Sequence, residues 1–182
     1  MYNLQFDGLF KGFPGEEETL SKAGFLCYGW LILRDESLIA RGHGAYARGK
    51  DASSNIAEYL GLIEGLDALT YLRVTEEIIQ ITGDAKCVID QMQGLASVNS
   101  PNIKPLYRRA ARLADLFHHL IWEWTPRRNN RLADSLTRRA LQQIRMDRNH
   151  CLDIASAACP PDGRHENRRL LPVLDLRIYH EA

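Results

Sequence analysis

Three extended, apolar segments follow one another before any helical period appears, and that order confines the chain to a small set of folds. Residues 2–7 (YNLQFD) read as a short strand, and residues 23–34 (AGFLCYGWLILR) as a strand buried on at least one face. Asp35, Glu36 and Ser37 make a turn. Residues 38–47 (LIARGHGAYA) return as a third strand, with Gly42 and Gly44 as weak points or bulges. Helical spacing starts at 53–72, where Ser53 or Ser54 can cap and Ile56, Leu60, Ile63 and Leu66 recur on one face. A strand at 78–82, helices at 85–93 and 103–119, a strand at 120–125 and a helix at 131–145 complete the order β-β-β-α-β-α-α-β-α. Consecutive strands pair as an antiparallel meander, and strands separated by helices pair in parallel through right-handed crossovers. The expected fold class is α/β: a five-stranded mixed sheet, three strands antiparallel and two parallel, flanked by helices.

The length of 182 residues suits one domain with an appendage. The domain is expected over 1–145 and a C-terminal extension of unknown role over 146–182. In the extension, Pro160-Pro161-Asp162-Gly163 reads as a break, and 170–179 (LLPVLDLRIY) as a terminal strand that Pro172 would place at an edge. Net charge is zero, which argues against binding to nucleic acid through bulk charge, but the charge is unevenly placed. Residues 1–100 carry 8 basic and 14 acidic side chains, and residues 101–150 carry 11 and 4. Such blocks suit an acidic metal site beside a phosphate-binding surface. Cys27, Cys87, Cys151 and Cys159 show no paired spacing and read as reduced thiols. No apolar run approaches the ~20 residues that span a bilayer, and the N-terminus lacks a secretion-signal pattern. A soluble, cytoplasmic protein without a membrane partner is the expectation.

Four carboxylates stand where chemistry is possible. Asp7 ends the first strand, Glu58 lies in the first turns of the first long helix, Asp84 ends the fourth strand, and Asp134 lies in the first turn of the last helix. Strand ends and the helix starts that follow them gather at one edge of a parallel region, where ligands bind. Hard divalent cations need oxygen ligands, and clustered carboxylates without a cation repel one another. Each residue alone also suits a structural role, as a turn former or a complement to a helix dipole. The functional case rests on the set.

The stretches FDG (6–8), NIAEY (55–59), ITGDAKCVIDQ (81–91) and RNNRLADSL (128–136), in this order of elements, resemble the type 1 ribonuclease H family over about residues 1–145. That resemblance implies hydrolysis of the RNA strand of RNA–DNA hybrids, leaving 5′-phosphate and 3′-hydroxyl ends. It implies two Mg²⁺ or Mn²⁺ ions with substrate bound, held by Asp7, Glu58, Asp84 and Asp134. The turn TPRRNN has no loop histidine, and Gly94–Pro105 is short where many bacterial members carry a basic, Trp-rich protrusion. In both respects the chain resembles the archaeal-like and retroelement-like branch.

The resemblance also marks a substrate surface: Gly8, Gly12, Ser54, Asn55, Lys86, Arg127, Arg128 and Asn130. Gly8 and Gly12 allow close backbone approach, and Asn55 lies one helical turn before Glu58. Arg127 and Arg128 read either as cations beside the scissile phosphate or as solvated turn residues. Arg108, Arg109 and Arg112 make one helix basic, for phosphate contact or for solvation. Trp30, Trp122 and Trp124 read as core. His150, Cys151, Cys159 and His165 match no common zinc spacing. The extension can dock on the sheet, mediate a dimer or bind a partner. The competing functions are a catalytically silent module binding hybrid or double-stranded RNA, and a metal-dependent DNA nuclease of the same fold. The silent module gains nothing from clustered anions facing phosphates.

Overall fold

The computed structural model describes residues 1–13, 22–159 and 168–180. The break at 160–163 and His165, both singled out in the sequence, lie outside those residues. Six strands form one sheet in the order β5-β4-β1-β2-β3-β6. They are β1 (Tyr2–Gly12), β2 (Gly24–Arg34), β3 (Ser37–Arg48), β4 (Ile78–Gly83), β5 (His119–Trp124) and β6 (Leu171–Tyr179). The meander β1–β2–β3 is antiparallel, and β4 and β5 join in parallel, as the sequence order predicts. The sixth strand corrects the expected five: β6 pairs antiparallel with β3, from Ala40 to Ala47, and holds the edge.

Helix α1 (Ser54–Tyr71) packs across β1 and β2, with α2 (Lys86–Met92) and α3 (Lys104–Ala114) beside it. Helix α4 (Arg131–Met146) packs against β2, β1 and β3. Ser53 caps α1, its hydroxyl accepting from the Ile56 N–H. Helix α3 ends well before residue 119, because Phe117 turns into the core and the chain must begin β5 at His119. A further helix, α5 (Arg148–Ala158), starts at Asp147, whose carboxylate accepts from the His150 N–H at 3.2 Å.

Two of the sequence expectations at glycines change. Asp7 does not end β1, which runs on through Gly8 to Gly12 against β2. Gly42 and Gly44 are not bulges either. A Cβ at Gly42 would lie 2.5 Å from the Trp30 ring, and one at Gly44 would lie 2.3 Å from the Tyr28 hydroxyl. The bare backbone of β3 lets these β2 aromatics lie across it, and the Tyr28 hydroxyl reaches Asp175 of β6 at 3.3 Å.

The extension is tied into the core by charge as well as by pairing. Arg177 of β6 forms an ion pair with Glu64 of α1, which is only 3% exposed. Burial raises the Glu64 pKa and Arg177 opposes that rise. Arg177→Met is expected to cost about 3–5 kcal/mol by leaving a buried carboxylate unpaired. Glu64→Leu/Arg177→Met is expected to recover most of that loss, as read from urea denaturation of the two variants and the parent.

Candidate active site

Pairing of β1 with β4 stops at Phe6 and Gly83. β1 continues and β4 does not, so a cleft opens with Asp7 on one wall and Asp84 on the other. Gly8 brings α1 against the same point: a Cβ there would lie 2.2 Å from the main-chain nitrogen of Glu58. Only glycine permits that approach, and the Gly8 N–H then bonds the Glu58 carboxylate. Opposite Asp7 in the register stands Gly29, where a Cβ would lie 2.7 Å from α4 at Leu136 and Thr137. Two glycines, one on β1 and one on its neighbour β2, thus bring two helices close to Asp7.

The result is a compact anionic centre. One carboxylate oxygen from each of Asp7, Glu58 and Asp84 lies within 4.8 Å of the others. Asp7 is 2% exposed and Glu58 is also buried. Asp7 Oδ2 and Glu58 Oε2 have no hydrogen-bond partner. Bare, buried carboxylate oxygens facing a third carboxylate are costly alone, and a hard divalent cation satisfies all three. The residues present fit such an ion.

Electrostatics agree. Burial lifts the Asp7 pKa to about 6, with Asp84 and Asp134 adding to the rise and the Thr137 hydroxyl opposing it. Burial, followed by the charges of Asp7 and Asp84, puts Glu58 well above the usual carboxylate range. Because the folded chain holds the Asp7 proton more tightly than the unfolded chain, folding stability without metal falls as pH rises from about 4 to about 6. A cation prefers the ionised carboxylates and removes that loss. The expected result is a melting temperature that declines over this window in chelator. In Mg²⁺ the decline is absent and the stabilisation by metal is largest above pH 6. Equal metal-induced shifts at pH 4.5 and 7.5 would refute the assignment.

Asp134 stands at the rim, outside the group of three. Its carboxylate accepts from Arg127 Nη2 at 2.8 Å and from Arg138 Nε at 2.6 Å. Partial burial would raise its pKa, but the two arginines hold it below the usual range. Arg127 sits on a 3₁₀ turn, Arg127–Asn129, and its charge also reaches Asp7, Glu58 and Asp84.

The remaining residues marked in the sequence are placed as follows. Asn130 is 0% exposed and lies beneath the site rather than on its surface. Its amide donates to the Phe6 carbonyl at 2.8 Å and to Asp84 Oδ1 at 3.4 Å. Ser54 and Asn55 are exposed at the start of α1. Lys86 pairs with Asp90 at 2.6 Å. Gly12 lies at the far end of β1, and Arg128 is exposed. Three contributors were missed. Thr137 donates to the Asp7 carbonyl at 3.3 Å, and Arg138 holds Asp134. Trp124 is 44% exposed rather than core, and its indole N–H donates to the Asp84 carbonyl at 3.0 Å. Only Arg138 left a sequence signal, four residues after Asp134 on one helix.

Fold and site together define a ribonuclease H-like domain with an acidic centre. A family model described as "Reverse transcriptase-like" matches residues 20–140. The bifunctional protein Rv2228c of Mycobacterium tuberculosis is 35% identical over 138 residues, 76% of this chain and 35% of that protein. The ribonuclease HI of Halobacterium salinarum is 30% identical over 137 residues, 75% of this chain and 62% of that one. The solved N-terminal RNase H domain of Rv2228c matches with a TM-score of 0.64 at 33% identity, covering 78% of this chain and 94% of the domain. The solved Halobacterium enzyme matches with a TM-score of 0.67 at 28% identity, covering 78% and 98%. The chain belongs to the ribonuclease H family, within its reverse transcriptase-like group. It spans about a third of the mycobacterial relative's length. Among the described residues, no helix is long and apolar enough to cross a membrane.

Proposed function

We propose that this chain hydrolyses the RNA strand of RNA–DNA hybrids, leaving 5′-phosphate and 3′-hydroxyl ends, with Mg²⁺ or Mn²⁺ as cofactor. The observation that carries this reading is the convergence of Asp7, Glu58 and Asp84 from three separate elements, with buried oxygens left bare. Two ions with substrate bound supply an activated water and stabilise the departing oxygen. The chain's own residues hold and orient. Asp7, Glu58 and Asp84 provide the anionic floor, and Asn130 braces Asp84 from below. Asp134 and Arg127 form a rim in which the guanidinium is within reach of a phosphate approaching the carboxylates. Gly12, Ser54, Asn55, Lys86 and Arg128 surround it as substrate contacts, with Ser54 and Asn55 at the helix end that also carries Glu58, whereas Gly8 is buried against α1 and offers its backbone to Glu58 rather than to substrate. A ribose 2′-hydroxyl presented in the wide minor groove distinguishes RNA from DNA there.

Residues 1–145 carry this activity, and within the extension 146–182 the strand β6 completes the sheet edge, in a protein of the reducing cytoplasm. The test is cleavage of end-labelled hybrid by purified protein with Mg²⁺, Mn²⁺ or chelator. Metal-dependent cutting of the RNA in hybrid, with single-stranded RNA and duplex DNA spared, supports the reading. Cutting of duplex DNA points to the DNA nuclease, and binding without any cleavage points to the silent module.

A further inference from the structure

β6 lies at one end of the sheet, and among the described residues no strand covers its outer side. The phase of its pairing with β3 is fixed. The His180 N–H donates to the Ile39 carbonyl at 2.7 Å, one step beyond the pair Ala40–Tyr179. In an antiparallel ladder, pairs that exchange main-chain bonds alternate with pairs that do not. Ile178, Leu176 and Leu174 therefore turn their main-chain groups to β3, and Tyr179, Arg177 and Asp175 turn theirs outward. Three N–H and three carbonyl groups stand along a free edge, a pattern that templates a further strand.

Natural edges of this kind are guarded by charge. Here the guards have opposite signs and sit two residues apart, on one face: Arg177 Nε donates to Asp175 Oδ1 at 3.3 Å. Both side chains remain partly exposed. The surface around them is apolar. Leu176 is exposed, and Tyr71 of α1, 70% exposed, lies with its ring centroid 4.7 Å from that of Tyr179. Pro172 precedes the three outward residues and takes no donor from them.

We infer that β6 pairs with β6 of a second copy of this chain, antiparallel, about a two-fold axis at Leu176. In that register Asp175 stands opposite the partner's Arg177, and Arg177 opposite the partner's Asp175, each in a bonded pair. Moving the axis to Asp175 or to Arg177 sets a charge directly against its own copy, which destabilises a cross-strand pair. Charge thus selects one register. Leu174 then meets the partner's Ile178, and Val173 the partner's Tyr179. A guanidinium has five N–H donors, so Arg177 reaches across while still holding Glu64 of its own chain. The two-fold axis uses both free edges and closes the assembly at two chains. The opposite edge strand, β5 (HLIWEW), has an acid at Glu123 and no lysine or arginine to answer it. β6 lies three strand spacings, about 14 Å, from the β1 strand of the acidic centre, so the contact is separate from that site.

The test is the association state of the full chain by sedimentation equilibrium, from about 1 to about 200 µM. One strand pair with its flanking side chains makes a small interface, so a monomer–dimer equilibrium with a Kd of roughly 1–50 µM is expected. Asp175→Pro removes one outward N–H and one charge but no bond to β3, and is expected to weaken association at least about tenfold. The register is read by disulfide formation, with Cys87, the exposed native thiol, changed to serine. Leu176→Cys sets two sulfurs at the axis, where opposed Cα atoms lie about 4.5 Å apart, and should link the two chains on mild oxidation. Ile178→Cys lies about 14 Å from its own copy and should not link. Parent protein that stays monomeric over the whole range overturns the pairing, as does association that grows without closing at two chains. A dimer in which Leu176→Cys stays unlinked, or Ile178→Cys links equally well, lies elsewhere on the molecule and also overturns it. If Asp175→Pro does not fold, the contrast between the two cysteine variants decides the question by itself.

Discussion

Asp7→Asn is expected to abolish hybrid cleavage and, in chelator, to make the protein more stable. The two effects have opposite signs for one physical reason. The Asp7 carboxylate is buried beside Asp84 and Glu58 with one oxygen unbonded, and its pKa is raised to about 6. Keeping it ionised at neutral pH therefore costs the folded chain about 3 kcal/mol. An amide of the same shape carries no charge, and its NH₂ can donate to the carboxylates that Asp7 now repels. The cation site loses a ligand in the same step, and a loss of about a thousandfold in rate corresponds to about 4 kcal/mol of transition-state stabilisation. Asp84→Asn is expected to match the loss of cleavage, with hybrid binding still measurable for both variants. Activity within tenfold of the parent would defeat the site. A lowered melting temperature for Asp7→Asn in chelator would mean that the carboxylate serves the fold, not a cation.

That site was legible in the sequence because its members occupy positions defined by local pattern. Asp84 follows an apolar run and precedes a helical period. Glu58 falls within two turns of a capped helix start. Asp134 follows the turn PRRNN. What local pattern cannot carry is what a side chain meets across the sheet. Asp7 read as the end of β1, but the strand runs on through Gly8, which is bare because α1 passes within contact distance of it. Gly42 and Gly44 read as weak points or bulges, whereas their Cβ positions are filled by Trp30 and Tyr28 from the neighbouring strand. The resemblance marked Asn130 as a substrate contact, yet its side chain is buried and its amide ties its own segment to the Phe6 carbonyl, more than a hundred residues away. Trp124 read as core because alternation says which residues share a face, not whether anything covers that face.

A chain ending at Met146 is expected to lose at least about 5 kcal/mol of stability, which for a domain of this size lowers the melting temperature by roughly 10–20 °C. Cys151, Ala158, Val173 and Leu174 pack with Phe13, Phe25, Ala45 and Ala47, so removing them opens that part of the core to water. β3 becomes a bare edge carrying unpaired main-chain groups, which invites association between molecules. Glu64 loses Arg177 and remains buried beneath α1, a further cost of about 3–5 kcal/mol. The last of these can be separated from the rest: truncated protein carrying Glu64→Leu should recover that portion and no more. The family model ends at residue 140, so the matched part of the fold is defined without this strand. The extension is held to this chain by the pairing with β3, by the apolar cluster, and by a buried acid on α1 that pairs with Arg177. Truncated protein melting within a few degrees of the parent would show that the strand is a detachable appendage.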